Sequence, residues 1–185
     1  MLGHDFAATL QQASDGSPTA FAALYKDIHP ALMRYLYVLA QDQADDVAAE
    51  AWLAVVTSLT SFSGTETSFR SWIFTIARNK LIDAQRKASR RPTTPLTDSH
   101  DRSVRDGEDA SDQVVEALST EWALALISEL PQDQAEAVML RVVAGLDVGE
   151  VAAVMDRSPG AVRVLTHRGL KRLATKLSEE NSDEV

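Results

Sequence analysis

Apolar residues recur three and four apart through most of this chain, the spacing of one face of an α-helix. "SPTAFAALYKDIHPALMRYLYVLA" opens with Ser17, an N-cap residue type. Pro18 comes next, and its fixed φ suits the first helical position. Between 44 and 59, Val47, Ala48, Ala51, Trp52, Val55, Val56 and Leu59 form a second stripe. "SFSGTETS" at 61–68 has the composition of a loop punctuated by Gly64, and Ser68 is placed to cap the next helix. From there Phe69, Trp72, Ile73, Ile76, Ala77, Leu81 and Ala84 share one helical face.

The periodicity stops at "RKASRRPTTPLTDSHDRSVRDGEDASD". Two prolines, many Ser, Thr and Asp and almost no large apolar residue leave too little to bury against the entropy of ordering. Residues 89–113 are therefore expected to be a flexible acidic linker between helical domains at 1–88 and 114–178. The polar end, 179–185, is expected to be a disordered tail. The second domain reads as four helices, about 114–129, 132–144, 148–155 and 159–177. Gly145 suits a C′ position, and Asp147 with Glu150 resembles a capping box. Ser158 and Pro159 make another cap-and-start pair. A short helix, the turn "MDRSPG" and a longer helix give a helix-turn-helix plan. The expected fold class is all-α, two small helical domains on a tether.

Composition narrows the function. Apolar content of 45% and charged content of 24% are those of a folded domain. The absence of cysteine excludes a disulfide scaffold and a Cys-based zinc site, and suits a reducing compartment. "MLGHDFAATLQQ" lacks the basic and apolar regions of a signal peptide, and no apolar run approaches the roughly 20 residues that span a bilayer. A cytoplasmic protein without membrane insertion is expected. His4, His29, His100 and His167 form no ligand spacing. A Gly-rich phosphate loop and a nucleophile elbow are absent as well, so no enzyme activity, metal, cofactor or small-molecule substrate is expected.

The net charge of −9 hides an uneven distribution. Residues 1–60 are acidic, residues 66–91 are basic, and "TDSHDRSVRDGEDASDQ" is acidic again. "RSPGAVRVLTHRGLKRLATKL", 157–177, holds no acid at all. On a helical wheel Arg163, His167, Lys171, Val164 and Arg168 fall within an arc of about 140°. Leu165, Val162, Leu173, Leu177 and Leu170 take the other side. Such a helix fits the DNA major groove, where Arg and Lys read guanine or neutralise phosphate and Val164 can meet a thymine methyl. A solvated surface helix is the plain alternative, and the cap and turn ahead of this one weigh against it.

Three stretches together resemble the extracytoplasmic-function (ECF) sigma factors, the promoter-specificity subunits of bacterial RNA polymerase. "QADDVAAEAWLAVV" is similar to their polymerase-binding segment, region 2.2. "FSGTETSFRSWIFTIARNKLIDAQRKASRR" is similar to regions 2.3 and 2.4. "LPQDQAEAVMLRVVAGLDVGEVAAVMDRSPGAVRVLTHRGLKRL" is similar to region 4. The resemblance implies that region 2 captures the minus-10 promoter element as a single strand and region 4 reads the minus-35 duplex.

Residue by residue, it implies an acidic docking face for core polymerase at Asp45, Asp46 and Glu50, with exposed Leu53 adding apolar contact. Spacing alone also admits Asp46 and Glu50 as paired metal ligands or as solubilising charge. Phe62, Gly64, Thr65, Ser68 and Asn79 would hold an extruded base, with Arg70, Arg78, Lys80, Arg86 and Lys87 on phosphate. Core packing is the alternative for Phe62, and the favoured reading for Trp72. Ser158, Arg163, Val164, His167, Arg168 and Lys171 would face the minus-35 duplex. "VLT" at 164–166 departs from the Ser-Arg-Leu of many members, so the remaining polar residues carry more of the contact. Core polymerase, promoter DNA and an anti-sigma factor are the implied partners. The competing readings are a helix-turn-helix regulator that acts without polymerase and a sigma-like protein-binding decoy.

Overall fold

The computed structural model describes residues 2–90 and 121–183, and every regular element among them is helical. Helices α1 (Phe6–Ser14), α2 (Pro18–Ala40), α3 (Ala44–Ser58) and α4 (Glu66–Arg90) form the first group. The second comprises α5, helical over residues 121–128, then α6 (Gln132–Val138), α7 (Val148–Met155) and α8 (Pro159–Asp183). Most of the expected linker, from residue 91 on, and residues 114–120 lie outside the described residues.

Local chemistry sets the helix boundaries. The Ser17 hydroxyl accepts from the Ala20 N–H and caps α2, which continues unbroken past Pro30. α4 starts earlier than the sequence implied. Thr65, not Ser68, caps it: the Thr65 Oγ1 accepts the Ser68 N–H at 3.2 Å, and its carbonyl accepts the Phe69 N–H. In α7 the capping box is complete, with Asp147 on the Glu150 N–H at 2.8 Å and Glu150 on the Asp147 N–H at 2.7 Å. Gly145 takes a φ of +69°, where it escapes the steric penalty of a side chain. Asp156 ends α7 in the left-handed region, a conformation that aspartate tolerates better than most residues. The expected helix 132–144 is interrupted by a π segment at Met139–Val143, where the Ala144 N–H reaches back to the Met139 carbonyl. At the other end α8 runs on to Asp183, through most of the stretch expected to be a tail, because residues 178–183 hold neither Gly nor Pro to stop it.

The core of the first group is Leu24, Ile28, Leu32, Tyr35 and Leu36 of α2, Val47, Ala51 and Val55 of α3, and Phe69, Ile73, Phe74 and Ala77 of α4. The second is built on Val138, Met139, Leu140, Leu146, Val151, Met155 and Val162. Their buried residues join into one cluster. α4 packs on α7, and α2 packs on α6 and the π segment. Two positions depart from the expected stripes. Val56, counted in the α3 stripe, is 52% exposed, while Phe74, left off the α4 stripe, is fully buried. The α3 core face is narrower than its apolar run, and α4 buries a wider arc between α2 and α3.

Candidate nucleic-acid and protein interfaces

On α3 the four predicted residues share an open face. Asp45, Asp46 and Glu50 are exposed, and Leu53 is 66% exposed one turn further on. Two residues missed from the sequence extend the face. Val56 continues its apolar end, and Tyr37 of α2 donates to Asp45 Oδ1 at 3.2 Å. Exposed leucine and valine beside carboxylates make a patch with an apolar centre and an acidic rim. Such a patch suits a basic, partly apolar protein surface.

Behind this face His29 stacks on Tyr25 at 4.3 Å between ring centroids, and the Trp52 indole N–H donates to its Nδ1 at 3.2 Å. Nδ1 must therefore be unprotonated. Burial lowers the His29 pKa, against a smaller upward pull from Asp45.

The loop 62–65 and α4 form the second surface. Phe62 is half-buried, tilted against Trp72 at 4.9 Å and edge-on to Phe69 at 5.1 Å. It therefore meets the core and borders the loop at once, and Trp72 packs as the sequence implied. A Cβ at Gly64 would crowd the Ser68 hydroxyl, which can turn aside, and come within 3.1 Å of Phe62 Cζ, so the loop packs tightly at this glycine. Thr65 and Ser68 are exposed. Glu66 beside them accepts the Leu2 N–H at 2.6 Å and the Gly3 N–H at 3.0 Å, a tie from the chain's start to this loop that no periodicity signals.

The polar residues of α4 divide. Asn79, Arg86 and Lys87 are exposed, and Lys80 lies 3.6 Å from Glu50 of α3. Arg70 corrects its assignment to phosphate: it is 7% exposed and paired with Asp27 of α2 at 2.6 Å, where it ties two helices together. Arg78 also points inward, its Nε 2.7 Å from Glu136 of α6.

The third surface is α8. The Ser158 hydroxyl accepts the Ala161 N–H and so caps the helix rather than standing free. Arg163, Val164, His167, Arg168 and Lys171 are all exposed on one side, as the wheel requires. Arg168, Lys171, Arg172 and Thr175 also line a groove with Gln134 of α6. The buried seam runs through Val162 and Gly169, with Leu165 and Leu173 half-buried. A Cβ at Gly169 would come within 2.7 Å of Val138 Cγ2, so this glycine lets α8 approach α6 closely. Leu170 corrects the wheel: it is exposed, because α6 meets the helix at Gly169 rather than a turn edge away.

Glu136 is the residue that sequence reasoning overlooked. It is 6% exposed within α6, accepting Arg78 Nε–H and the Tyr35 hydroxyl, the latter at 3.0 Å, on the same oxygen. Burial, and then the Glu136 charge and hydrogen bond, hold the Tyr35 pKa well above its usual value, against a smaller opposing pull from Arg78. A lone glutamate in the run "QAEAVML" was the one signal in the sequence. Among the described residues no cluster could hold a metal ion, and no helix is long and apolar enough to cross a membrane.

Comparison with known proteins matches the Sigma-70 region 2 family at residues 24–91 and the Sigma-70, region 4 family at residues 120–173. The ECF RNA polymerase sigma factor ShbA of Streptomyces griseus subsp. griseus is 33% identical over 175 residues, covering 90% of this chain and 92% of that protein. The ECF RNA polymerase sigma factor SigD of Mycobacterium tuberculosis is 32% identical over 183 residues, covering 96% and 86%. Among solved structures, CnrH in complex with the cytosolic domain of CnrY aligns with a TM-score of 0.63 at 23% identity, over 93% of this chain and 96% of that one. RpoE in complex with the anti-sigma factor NepR, from Bartonella quintana, aligns with the same TM-score of 0.63 at 21% identity, over 85% and 96%.

Proposed function

The chain belongs to the ECF RNA polymerase sigma factors, and from that premise we propose a division of labour among its three surfaces. The α3 face, with Asp45, Asp46, Glu50 and Leu53, docks on core polymerase. The loop with Phe62, Gly64, Thr65 and Ser68 takes a base of the minus-10 strand, with Asn79 beside it and Lys80, Arg86, Lys87 and Arg78 on the backbone. The α7–turn–α8 unit places Arg163, Val164, His167, Arg168 and Lys171 in the minus-35 major groove.

The observation that carries this reading is the exposure of all five α8 residues on one side of a capped helix, in the same chain as an exposed acidic and apolar face on α3. A protein of this kind acts by binding and regulation rather than by catalysis, in the cytoplasm where polymerase and promoter meet. Its structural neighbours were solved with the cytosolic domain of CnrY and with the anti-sigma factor NepR. On that pattern this chain also has a protein antagonist that covers the α3 face.

Run-off transcription from pooled genomic promoter fragments, with core polymerase present and the protein added or withheld, tests the reading. Discrete protein-dependent transcripts that vanish in Asp46→Lys/Glu50→Lys are expected. Tight duplex binding by the protein alone with no transcript would replace it with the polymerase-independent regulator.

A further inference from the structure

Where α8 passes α6, Arg168, Lys171, Arg172 and Thr175 enclose with Gln134 a groove of about 370 Å³. That lies at the lower end of small-ligand sites, roughly 300–1,000 Å³, and is more than one phosphate group fills. The three cations fall within an arc of about 100° on α8, and all are exposed. Their neighbours are already neutralised: Arg157 pairs with Asp133 at 3.0 Å, and Lys176 with Glu129. Among the described residues no carboxylate pairs with Arg168, Lys171 or Arg172. Three like charges around one groove raise its potential and draw an anion to it.

The remaining walls ask for something different. Gln134 is 8% exposed, and its Oε1 is buried without a hydrogen-bond partner. The Thr175 hydroxyl donates to the Lys171 carbonyl at 3.1 Å, which leaves its oxygen able only to accept. A buried acceptor with no donor is costly. Ionised phosphate supplies acceptors alone, whether it belongs to DNA backbone or to a bare phosphate chain. A ligand that answers both sets of groups carries linked phosphates for the cations and hydroxyl or amino donors close behind them. Nucleoside polyphosphates are built this way, with ribose hydroxyls next to the phosphate chain.

We propose that the α6–α8 groove binds a nucleoside polyphosphate, its phosphates on Arg168, Lys171 and Arg172 and its sugar or base against Gln134 and Thr175, and that the bound ligand competes with the minus-35 duplex. The site stands on the groove, while the competition rests on the sigma-factor reading, which assigns Arg168 and Lys171 to the duplex. Arg172, Gln134 and Thr175 lie outside that assignment, so mutation can separate ligand from promoter.

Isothermal titration calorimetry of the full chain tests the site with adenosine triphosphate (ATP) and, separately, inorganic tripolyphosphate at one ionic strength. ATP should bind at one site per chain, at least threefold more tightly than tripolyphosphate. Arg172→Gln should weaken ATP binding at least fivefold. Arg34→Gln, which removes the same charge from an exposed position on α2, should leave it unchanged. Gln134→Leu should bring ATP down to the level of tripolyphosphate. If that variant fails to fold by circular dichroism, Thr175→Val takes its place under the same criterion. In fluorescence anisotropy, saturating ATP should weaken binding of a labelled promoter duplex at least fivefold for the wild type and less than twofold for Arg172→Gln. Sodium sulfate at equal ionic strength sets the baseline.

ATP that fails to bind, binds Arg172→Gln as tightly, or binds no better than tripolyphosphate overturns the site. Bound ATP that leaves duplex affinity at the sulfate baseline overturns the competition. Run-off transcription keeps the two readings apart: transcripts without ATP binding sink the groove alone, and ATP binding without transcripts sinks the promoter reading.

Discussion

The indole of Trp52 donates to His29 Nδ1, so protonating that imidazole removes a hydrogen bond as well as placing charge in a partly buried site. The folded pKa lies below the unfolded value near 6.5. The unfolded chain therefore takes up the proton first as pH falls, and stability drops below about pH 6.5. His29→Gln should flatten this dependence, so that between pH 7.5 and 5.5 its melting temperature falls less than the wild type's. Equal falls would show that His29 does not set the acid sensitivity. On α8 the exposed cations act separately. Lys171→Ala should reduce the slope of log affinity against log salt for promoter duplex by about 1. Arg163→Ala should cost about 1–3 kcal/mol on the preferred sequence and relax the choice of base there. Competition binding across a promoter library at several salt concentrations separates the two behaviours.

Elements are held here by a few local devices whose loss is measurable. Asp147→Ala removes one half of the α7 capping box and should destabilise the protein by about 1 kcal/mol in thermal or urea unfolding. Gly169→Leu forces a branched side chain into the seam where α8 meets Val138, an overpacking that should cost about 1–3 kcal/mol. Displacement of α8 from α6 should then weaken duplex binding without touching any residue assigned to DNA. An unchanged melting temperature in Gly169→Leu would mean that the seam is looser than the close approach implies. The helix starts at Ser17, Asp147 and Ser158 were legible because the residues that cap them are chemically distinctive. The start of α4 was not, because "SGTETS" offers several capping residues and only the fold selects Thr65.

At the scale of the whole molecule, the buried residues of both domains join into one cluster. Thermal unfolding of the free protein should accordingly give a single calorimetric transition, and two resolved transitions would show the domains melting independently. Much of the architecture could be read in advance, since amphipathic helices and a helix-turn-helix announce themselves through spacing three and four apart. The charged residues on the exposed faces of α3 and α8 could be read for the same reason, whereas the open positions of Val56 and Leu170 could not, because spacing alone assigns an apolar residue to the core. What spacing cannot show is which polar residue ends up between packed elements. Arg70 and Arg78 look alike in sequence to Arg86, yet the first two are drawn inward by Asp27 and Glu136, carboxylates 43 and 58 positions away. Tyr35 and Glu136 are 101 residues apart. Such pairs are properties of the tertiary fold, invisible to any window along the chain.

The tie between the first residues and Glu66 bears on how the protein is handled at the bench. Two backbone amides at Leu2 and Gly3 hold the carboxylate in the opening turn of α4, immediately beside the loop assigned to the unpaired base. Anything fused ahead of them, whether an affinity tag, a fluorescent protein or the scar left by a protease, hangs from that loop and pulls on it. A tag placed beyond α8 is not joined to Glu66 through these two bonds. Promoter preferences recorded with the two kinds of fusion need not agree, and the untagged chain is the reference against which both are judged.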